Sequence, residues 1–458
     1  MHSTQTLTTM YQSPAPGTKI LFACFPADGH FNPLTGLAKH LIAIGCDVRW
    51  YASKYFAARL DKLNIPYYLF DKAKEVDITR IDEVFPERKR IKNKVTKLNF
   101  DMINCFINRA PEYYEDIKSI HDKEFSFDII VADNCFTGIP FIKDKMNIPV
   151  ISVGVVPLCQ TSREVAPSGL GLTPAITFTG KIKQRLLHFL ADHVLFAKAN
   201  KCMHETFAKH NVSSENQGVF DVIIKKSTLL LQIGTPGFEY KRKNLAPNIR
   251  FVGPLLPYIK HKTTHWYNKK VEQYNKVILV TQGTVEKDIN KLIKPALEAF
   301  KQTNALLIVT TGGSHTEELR KQYPYDNIII EDFIPFSDVM PYANVYITNG
   351  GYGGVLLSIT NRLPLVVAGV HEGKNEINAR VGYFNLGINL HTETPSVLQL
   401  RKAVQEVLDN DAYKNNIEHL CKEFSEYKPL QLGAHYVAEA LENKYKNVVK
   451  KLQEAALI

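Results

Sequence analysis

The chain has 458 residues, of which 45% are hydrophobic and 22% charged, with 56 Lys and Arg against 46 Asp and Glu and a formal charge of +10. That composition supplies enough apolar material for two cores and excludes wholesale disorder, a collagen-like repeat and a disulfide-stapled miniprotein. The basic excess is mild for this length. It suits anionic small molecules such as phosphates and does not by itself indicate nucleic acid.

Residues 1–17 are polar, with Ser, Thr, Pro and Gly but no apolar stretch, and read as a loose tail rather than a signal peptide. Residues 19–25 form an apolar run closed by Pro26, which predicts a strand. A loop through 27–32 leads to a helix with Asn32 as cap and Pro33 as an early residue; Leu34, Leu37, Ala38 and Leu41 keep helical spacing and Gly45 stops it. Residues 48–51 are the next strand, so a strand–helix–strand unit and a parallel sheet are expected. Segments 71–120 and 155–215 hold no clear strand and read as helical excursions of the kind that shape a substrate pocket. Most of their apolar side chains, such as Ile107, Tyr113, Leu158, Leu186, Phe189 and Leu190, are assigned to the core.

Residues 127–133 are a buried strand, 136–146 a helix and 149–153 another strand. Pro247, Gly253, Pro254 and Pro257 then mark a composition shift across 244–257, which predicts a domain linker. The strand–helix rhythm restarts with strands at 276–281, 305–310, 327–330, 344–348 and 365–367, a helix at 291–302, and helical sequence from Leu398 onward. The sum is two doubly wound α/β domains, in which ligands bind beyond the carboxyl ends of the strands. The basic runs at 88–94 and 241–270 read as a solvated face and a linker. Seven scattered cysteines without a CxxC pair predict neither a zinc site nor a disulfide framework, and fit a reducing compartment. No run approaches the roughly 18 apolar residues that span a bilayer, and a cytoplasmic protein is expected.

Three constellations carry chemistry. Asn349-Gly350-Gly351-Tyr352-Gly353-Gly354 follows a strand and opens a helix. Glycines there let the backbone approach a ligand and the helix start offers free N–H groups, which suits a diphosphate; a tight turn with close helix–strand packing explains them equally well. No GK[ST] follows and the pattern is not GxGxxG. Gln282-Gly283-Thr284 is a second small-residue turn on the same sheet edge, either a phosphate contact or an ordinary strand-to-helix turn. In the first half, His30 and Asp133 each lie just past a predicted parallel strand and should emerge at one crevice. A His with a carboxylate on its far nitrogen is a general-base arrangement, although two residues so far apart in sequence are more often unrelated.

The segment Phe25 to Leu34, with its Gly29-His30-Phe31-Asn32-Pro33, resembles the first motif of the UDP-glycosyltransferase family. The stretch Phe333 to Met340, then 349–354, Leu363-Pro364-Leu365 and Asn378-Ala379-Arg380-Val381, resembles that family's donor-binding signature. The likeness runs from about Lys19 to Leu390 in matching order. It implies a GT-B fold: an acceptor domain at 1–245, a linker at 246–258, a nucleotide-sugar domain at 259–435, and a C-terminal helix at 436–458 that packs back on the first domain. It implies metal-independent, inverting transfer of a hexose, glucose from UDP-glucose being the expectation, to a hydroxyl of an apolar small molecule. Phenolic, terpenoid, macrolide or lipid-like alcohols fit. No cofactor, nucleic-acid partner or transmembrane segment is implied, and a monomer is expected.

Within the resemblance His30 is the base and Asp133 orients it. Gly283, Thr284, Asn349, Gly351, Tyr352, Gly353 and Gly354 surround the diphosphate, and Phe333 stacks on the nucleobase. The family's usual His stands as Asn349 here, and its ribose-binding acid, eight positions later, is Leu357. Its Asp-Gln pair falls on Lys374-Asn375, and Glu372 can take over as acceptor for sugar hydroxyls, although a surface loop and a salt bridge explain Glu372 and Lys374 equally well. Two other readings keep the fold: a nucleotide-sugar epimerase and a non-catalytic nucleotide-sugar-binding protein. A nicotinamide oxidoreductase is disfavoured, because the first strand leads to a lone Gly29 and the second ends at Tyr51-Ala52-Ser53.

Overall fold

A computed structural model describes residues 11–259, 265–283, 286–371 and 373–455. Within them two parallel sheets form. The first contains β1 (Lys19–Ala23), β2 (Asp47–Ala52), β3 (Tyr67–Leu69), β4 (Ile129–Asp133), β5 (Val150–Gly154), β6 (Leu229–Ile233) and β7 (Ile249–Gly253), in the order β3-β2-β1-β4-β5-β6-β7. The second contains β8 (Val277–Thr281), β9 (Leu306–Thr310), β10 (Ile328–Glu331), β11 (Val345–Thr348), β12 (Leu365–Val367) and β13 (Gly387–Asn389), in the order β10-β9-β8-β11-β12-β13. Every residue of β4, β5, β6, β8 and β9 is buried, as parallel strands covered by helices on both faces must be.

In each sheet the chain reverses its direction of growth at one place, between β1 and β4 and between β8 and β11. These are the switch points where connecting helices leave to opposite faces and open a crevice beyond the strand ends. One apolar cluster runs continuously through both sheets, from Ile20 and Trp50 by way of Phe238, Tyr352 and Leu356 to Leu279 and Leu365. The outer faces have separate cores, around Tyr113 and Phe141 in the first sheet and around Leu297 and Val404 in the second.

Several boundaries differ from the sequence expectation. The first helix is Asp28–Ala43, because the Ala27 carbonyl accepts from the N–H of His30 at 3.0 Å and of Phe31 at 3.1 Å. Asn32 is therefore inside the helix rather than its cap, and Pro33 removes a hydrogen bond that would run to the Gly29 carbonyl. The segment assigned to a linker at 246–258 contains β7, which among the described residues pairs only with β6. Prolines flank it without entering it, which an edge strand tolerates. The strands β3, β6 and β13 were not expected; β3 and β13 are three residues each and half-exposed, too short for a periodic signal. The last helix is Pro429–Ala455, beginning ahead of the expected 436. It lies on the first domain, where a Cβ at Gly433 would stand 2.6 Å from Leu37 Cδ1. Residues 11–17 are held rather than loose: the Gln12 N–H donates to His435 Nδ1 at 3.3 Å and the Gly17 N–H to the Gly45 carbonyl at 2.8 Å. Residues 1–10 lie outside the described residues. Ile107, Tyr113, Val155 and Leu158 are core, but Leu186, Phe189 and Leu190 are 57%, 56% and 42% exposed.

The helix Asp28–Ala43 also holds the chain that leaves β7. Thr35 Oγ1 accepts from the Tyr258 N–H at 2.9 Å, and a Cβ on Gly36 would lie 2.4 Å from the Leu256 carbonyl oxygen. Only glycine permits that approach. Gly36→Ala is expected to destabilise the protein by about 1–3 kcal/mol through overpacking, read as a lowered thermal unfolding midpoint.

Candidate active site

His30 sits in the first turn of the helix that follows β1, and Asp133 is the last residue of β4. The first switch point therefore brings the two together, and His30 Nδ1 lies 2.7 Å from Asp133 Oδ1. The carboxylate is fully buried and takes two further donors, the Phe25 N–H at 2.6 Å and the Cys135 N–H at 2.8 Å. With Nδ1–H donating to the carboxylate, Nε2 carries the ring's lone pair. The His30 side chain keeps 17% of its surface open. Burial disfavours its charged form, but the Asp133 charge and hydrogen bond, with Cys135 beside them, outweigh burial and raise its pKa above the ordinary value. The walls beside it are apolar: Phe25 meets the imidazole edge-on at 5.4 Å and stacks on Phe106 at 4.4 Å.

The second switch point gathers the glycine-rich elements. Gly283 closes β8 with a φ of +80°, and Asn349 to Gly354 close β11 and open the helix Tyr352–Thr360. Gly350, at φ +84°, has no alternative, since a Cβ would stand 1.7 Å from Asn378 Oδ1. A Cβ on Gly353 would meet nothing within 4 Å, so the helix start is open to a ligand. Phe333 is 68% exposed and its ring edges Gly313, leaving an aromatic face free to stack.

Other expected donor residues are committed elsewhere. Asn349 donates its amide to the Gln282 carbonyl and so ties the two glycine turns together. Tyr352 is buried, and its hydroxyl donates to the Ile233 carbonyl at 2.8 Å in the opposite domain, so only its backbone belongs to the helix start. Asn375 donates to the Gly169 carbonyl at 2.8 Å across the cleft. Lys374 begins the helix Lys374–Tyr383. Leu357 packs half-buried against the shared core. Thr284 and Glu372 lie outside the described residues.

Sequence reasoning missed the residues that join the domains here. Glu376 Oε1 accepts from the N–H groups of Gly169 at 2.9 Å and Gly171 at 2.7 Å. Arg380 reaches Glu239 Oε2 at 3.0 Å and Glu376 Oε2 at 3.2 Å, and its guanidinium stacks 4.3 Å over Tyr240. Arg380 and Glu239 are both almost completely buried. Arg380 stood within a quoted motif, but nothing local marks Glu239 as its partner.

His30, Asp133 and Cys135 bring three possible metal-ligand atoms within 4.8 Å of one another. Asp133 accepts three hydrogen bonds there, one of them from His30 Nδ1.

Comparison with known proteins bears on the family and the fold. The family described as UDP-glucoronosyl and UDP-glucosyl transferase matches residues 74–438. A "4'-demethylrebeccamycin synthase" of Lentzea aerocolonigenes is 29% identical over 411 residues, covering 89% of this chain and 96% of its own. A "UDP-glucosyltransferase 1" of Beauveria bassiana is 30% identical over 440 residues, covering 90% and 93%. Among solved structures, that of CalG4, the calicheamicin glycosyltransferase, superimposes with a TM-score of 0.70 at 18% identity, covering 95% of this chain and 100% of its own. The architecture is GT-B, two Rossmann-like domains facing across a cleft.

The interdomain ion cluster is expected to be a large term in stability. Glu239→Ala leaves the Arg380 guanidinium buried with Glu376 as its remaining acidic partner, and should cost about 3 kcal/mol, measured by denaturant unfolding against the parent protein.

Proposed function

Since the chain belongs to the UDP-glucoronosyl and UDP-glucosyl transferase family and is a glycosyltransferase, we propose that it transfers a hexose, glucose from UDP-glucose, to a hydroxyl of an apolar small molecule with inversion at the anomeric carbon. The observation that carries this reading is the pairing of His30 with a fully buried Asp133 at one switch point, while the open helix start at Gly351 to Gly354 stands at the other. The helices that begin at these two places touch across the interdomain seam. Apolar walls at Phe25 and Phe106 support an apolar acceptor. So do the names of the relative and the structural neighbour just described, which refer to rebeccamycin and calicheamicin chemistry.

In this mechanism Nε2 of His30 accepts the proton of the acceptor hydroxyl as its oxygen attacks the anomeric carbon. The bond from that carbon to the diphosphate oxygen breaks, and the nucleoside diphosphate leaves with the electron pair. Asp133 fixes the tautomer and stabilises the imidazolium that forms. The negative charge that grows on the leaving group meets backbone N–H groups at the start of the helix Tyr352–Thr360. Fixed dipoles of this kind support transfer without a metal. Phe333 stacks on the nucleobase. Lys374, Glu372 and Thr284 complete the donor site in this reading, with Asn349 acting through the turn it braces and Asn375 through the amide N–H that it does not give to the Gly169 carbonyl.

His30→Ala should lower kcat on an alcohol acceptor by at least about a hundredfold while leaving the affinity for nucleoside diphosphate nearly intact. In the parent enzyme kcat/KM should fall as pH drops, because protonating His30 removes the base. Asp133→Asn deletes the charge that raises the His30 pKa, so the same limb should move to lower pH and the plateau should drop. A limb that stays in place after Asp133→Asn would contradict the pairing.

Titration calorimetry with UDP, dTDP, ADP and NAD, run in EDTA, tests the donor site without knowledge of the acceptor. UDP is expected to bind most tightly and EDTA to leave that binding unchanged. Binding of none of the diphosphates would favour a non-catalytic role.

A further inference from the structure

The helix Phe178–Leu190 is turned inside out. Its one buried residue is Gln184, which accepts from the Ala175 N–H at 3.1 Å and donates to the Arg163 carbonyl at 2.7 Å. On the same face His188 Nε2 lies 2.9 Å from the Val165 carbonyl, and Thr177 Oγ1 caps the first turn by accepting from the Gly180 N–H at 3.1 Å. A surface helix ordinarily gives its apolar stripe to the core and its polar face to water. Here polar contacts hold the inner face. Phe178, Ile182, Leu186 and Phe189 are 79%, 51%, 57% and 56% exposed, and Ile176, just ahead of the helix, is 85% exposed. At 100° per residue those four side chains fall on one outward stripe. A continuous exposed apolar patch of this kind marks an interaction site.

The charges around the stripe identify the partner. Lys181 and Arg185 lie on one flank and Lys183 on the other, all exposed. No Asp or Glu occurs between Glu164 and Asp192. Beside the helix, a cleft of about 800 Å³ is lined by Arg163, Arg185, His188 and the acidic Asp192, together with Thr161, Ser162 and Asn244. A second copy of the chain would set the same lysines and arginine against themselves across a two-fold axis. An anionic bilayer complements both features: acyl chains for the stripe, and phosphates for the flanking cations and the basic cleft.

We propose that the helix Phe178–Leu190 is an in-plane membrane anchor that docks the protein on anionic lipid bilayers, with lipid phosphate seated at Arg163, Arg185 and His188. The helix does not span the membrane; among the described residues no helix is long and apolar enough to do so. The loop that leads into it carries Gly169 and Gly171, which bond to Asn375 and Glu376 at the cleft. The anchor stands on its own geometry and not on the sugar or base assigned above.

The test is co-sedimentation of the full chain with vesicles of phosphatidylcholine alone and of phosphatidylcholine mixed with phosphatidylglycerol, without donor or acceptor. Binding to the mixed vesicles, weakened by high salt, is expected. Phe178→Ser with Phe189→Ser, and separately Lys181→Gln with Arg185→Gln, should each weaken it by about tenfold or more, with unchanged thermal midpoints because all four side chains are exposed. Absence of binding to the mixed vesicles overturns the proposal, as does binding that neither pair of substitutions alters. A dimer in sedimentation velocity that Phe178→Ser with Phe189→Ser dissolves would also overturn it, since the stripe would then belong to a second copy.

Discussion

The carboxylate of Asp133 organises the first domain around one buried negative charge. It has no access to solvent, so its charge must be met by protein donors. Those donors come from three places: Phe25 beyond β1, Cys135 beyond β4, and His30 in the helix that leaves β1. The switch point of the sheet is thus closed by hydrogen bonds to a single side chain. The same interactions that make the buried charge tolerable also set the imidazole's tautomer and direction. Fold stability and the orientation of the ring therefore share one cause.

The two domains are joined by a different chemistry on each side of their seam. One part is apolar, a core cluster that passes through Phe238, Tyr352 and Leu356 without a break between sheets. The other is ionic, with Arg380 placed between Glu239 and Glu376 and stacked on Tyr240. Buried charges with several fixed partners define geometry more strictly than apolar contacts, which tolerate small slips. The seam therefore combines general adhesion with a defined register.

Much of this arrangement was legible in the sequence for a simple reason. Parallel strands covered on both faces are uniformly apolar, so β1, β4, β5, β8, β9 and β11 stood out as runs, and residues just beyond them had to emerge at the same edge. His30, Asp133 and the glycine cluster at 349–354 were found in that way. What escaped were relations without a local signature. Glu239 and Arg380, or Glu376 and Gly169, meet only because two folded domains meet. Asn349, Tyr352 and Asn375 were recognised as members of a motif, but their side-chain partners depend on that same meeting. The helix Phe178–Leu190 failed for another reason. Its apolar content suggested core, while the direction it faces is set by Gln184 and His188, two polar residues that composition does not weigh.

The contact between Asn375 and the loop at 169–171 has a consequence for how the two halves of the cleft communicate. Asn375 and the adjacent Glu376 stand at the start of one helix of the second domain and together hold the backbone of Gly169 and Gly171 from the first. The loop is therefore latched at three points rather than one, and a shift of that helix start has to carry the loop with it.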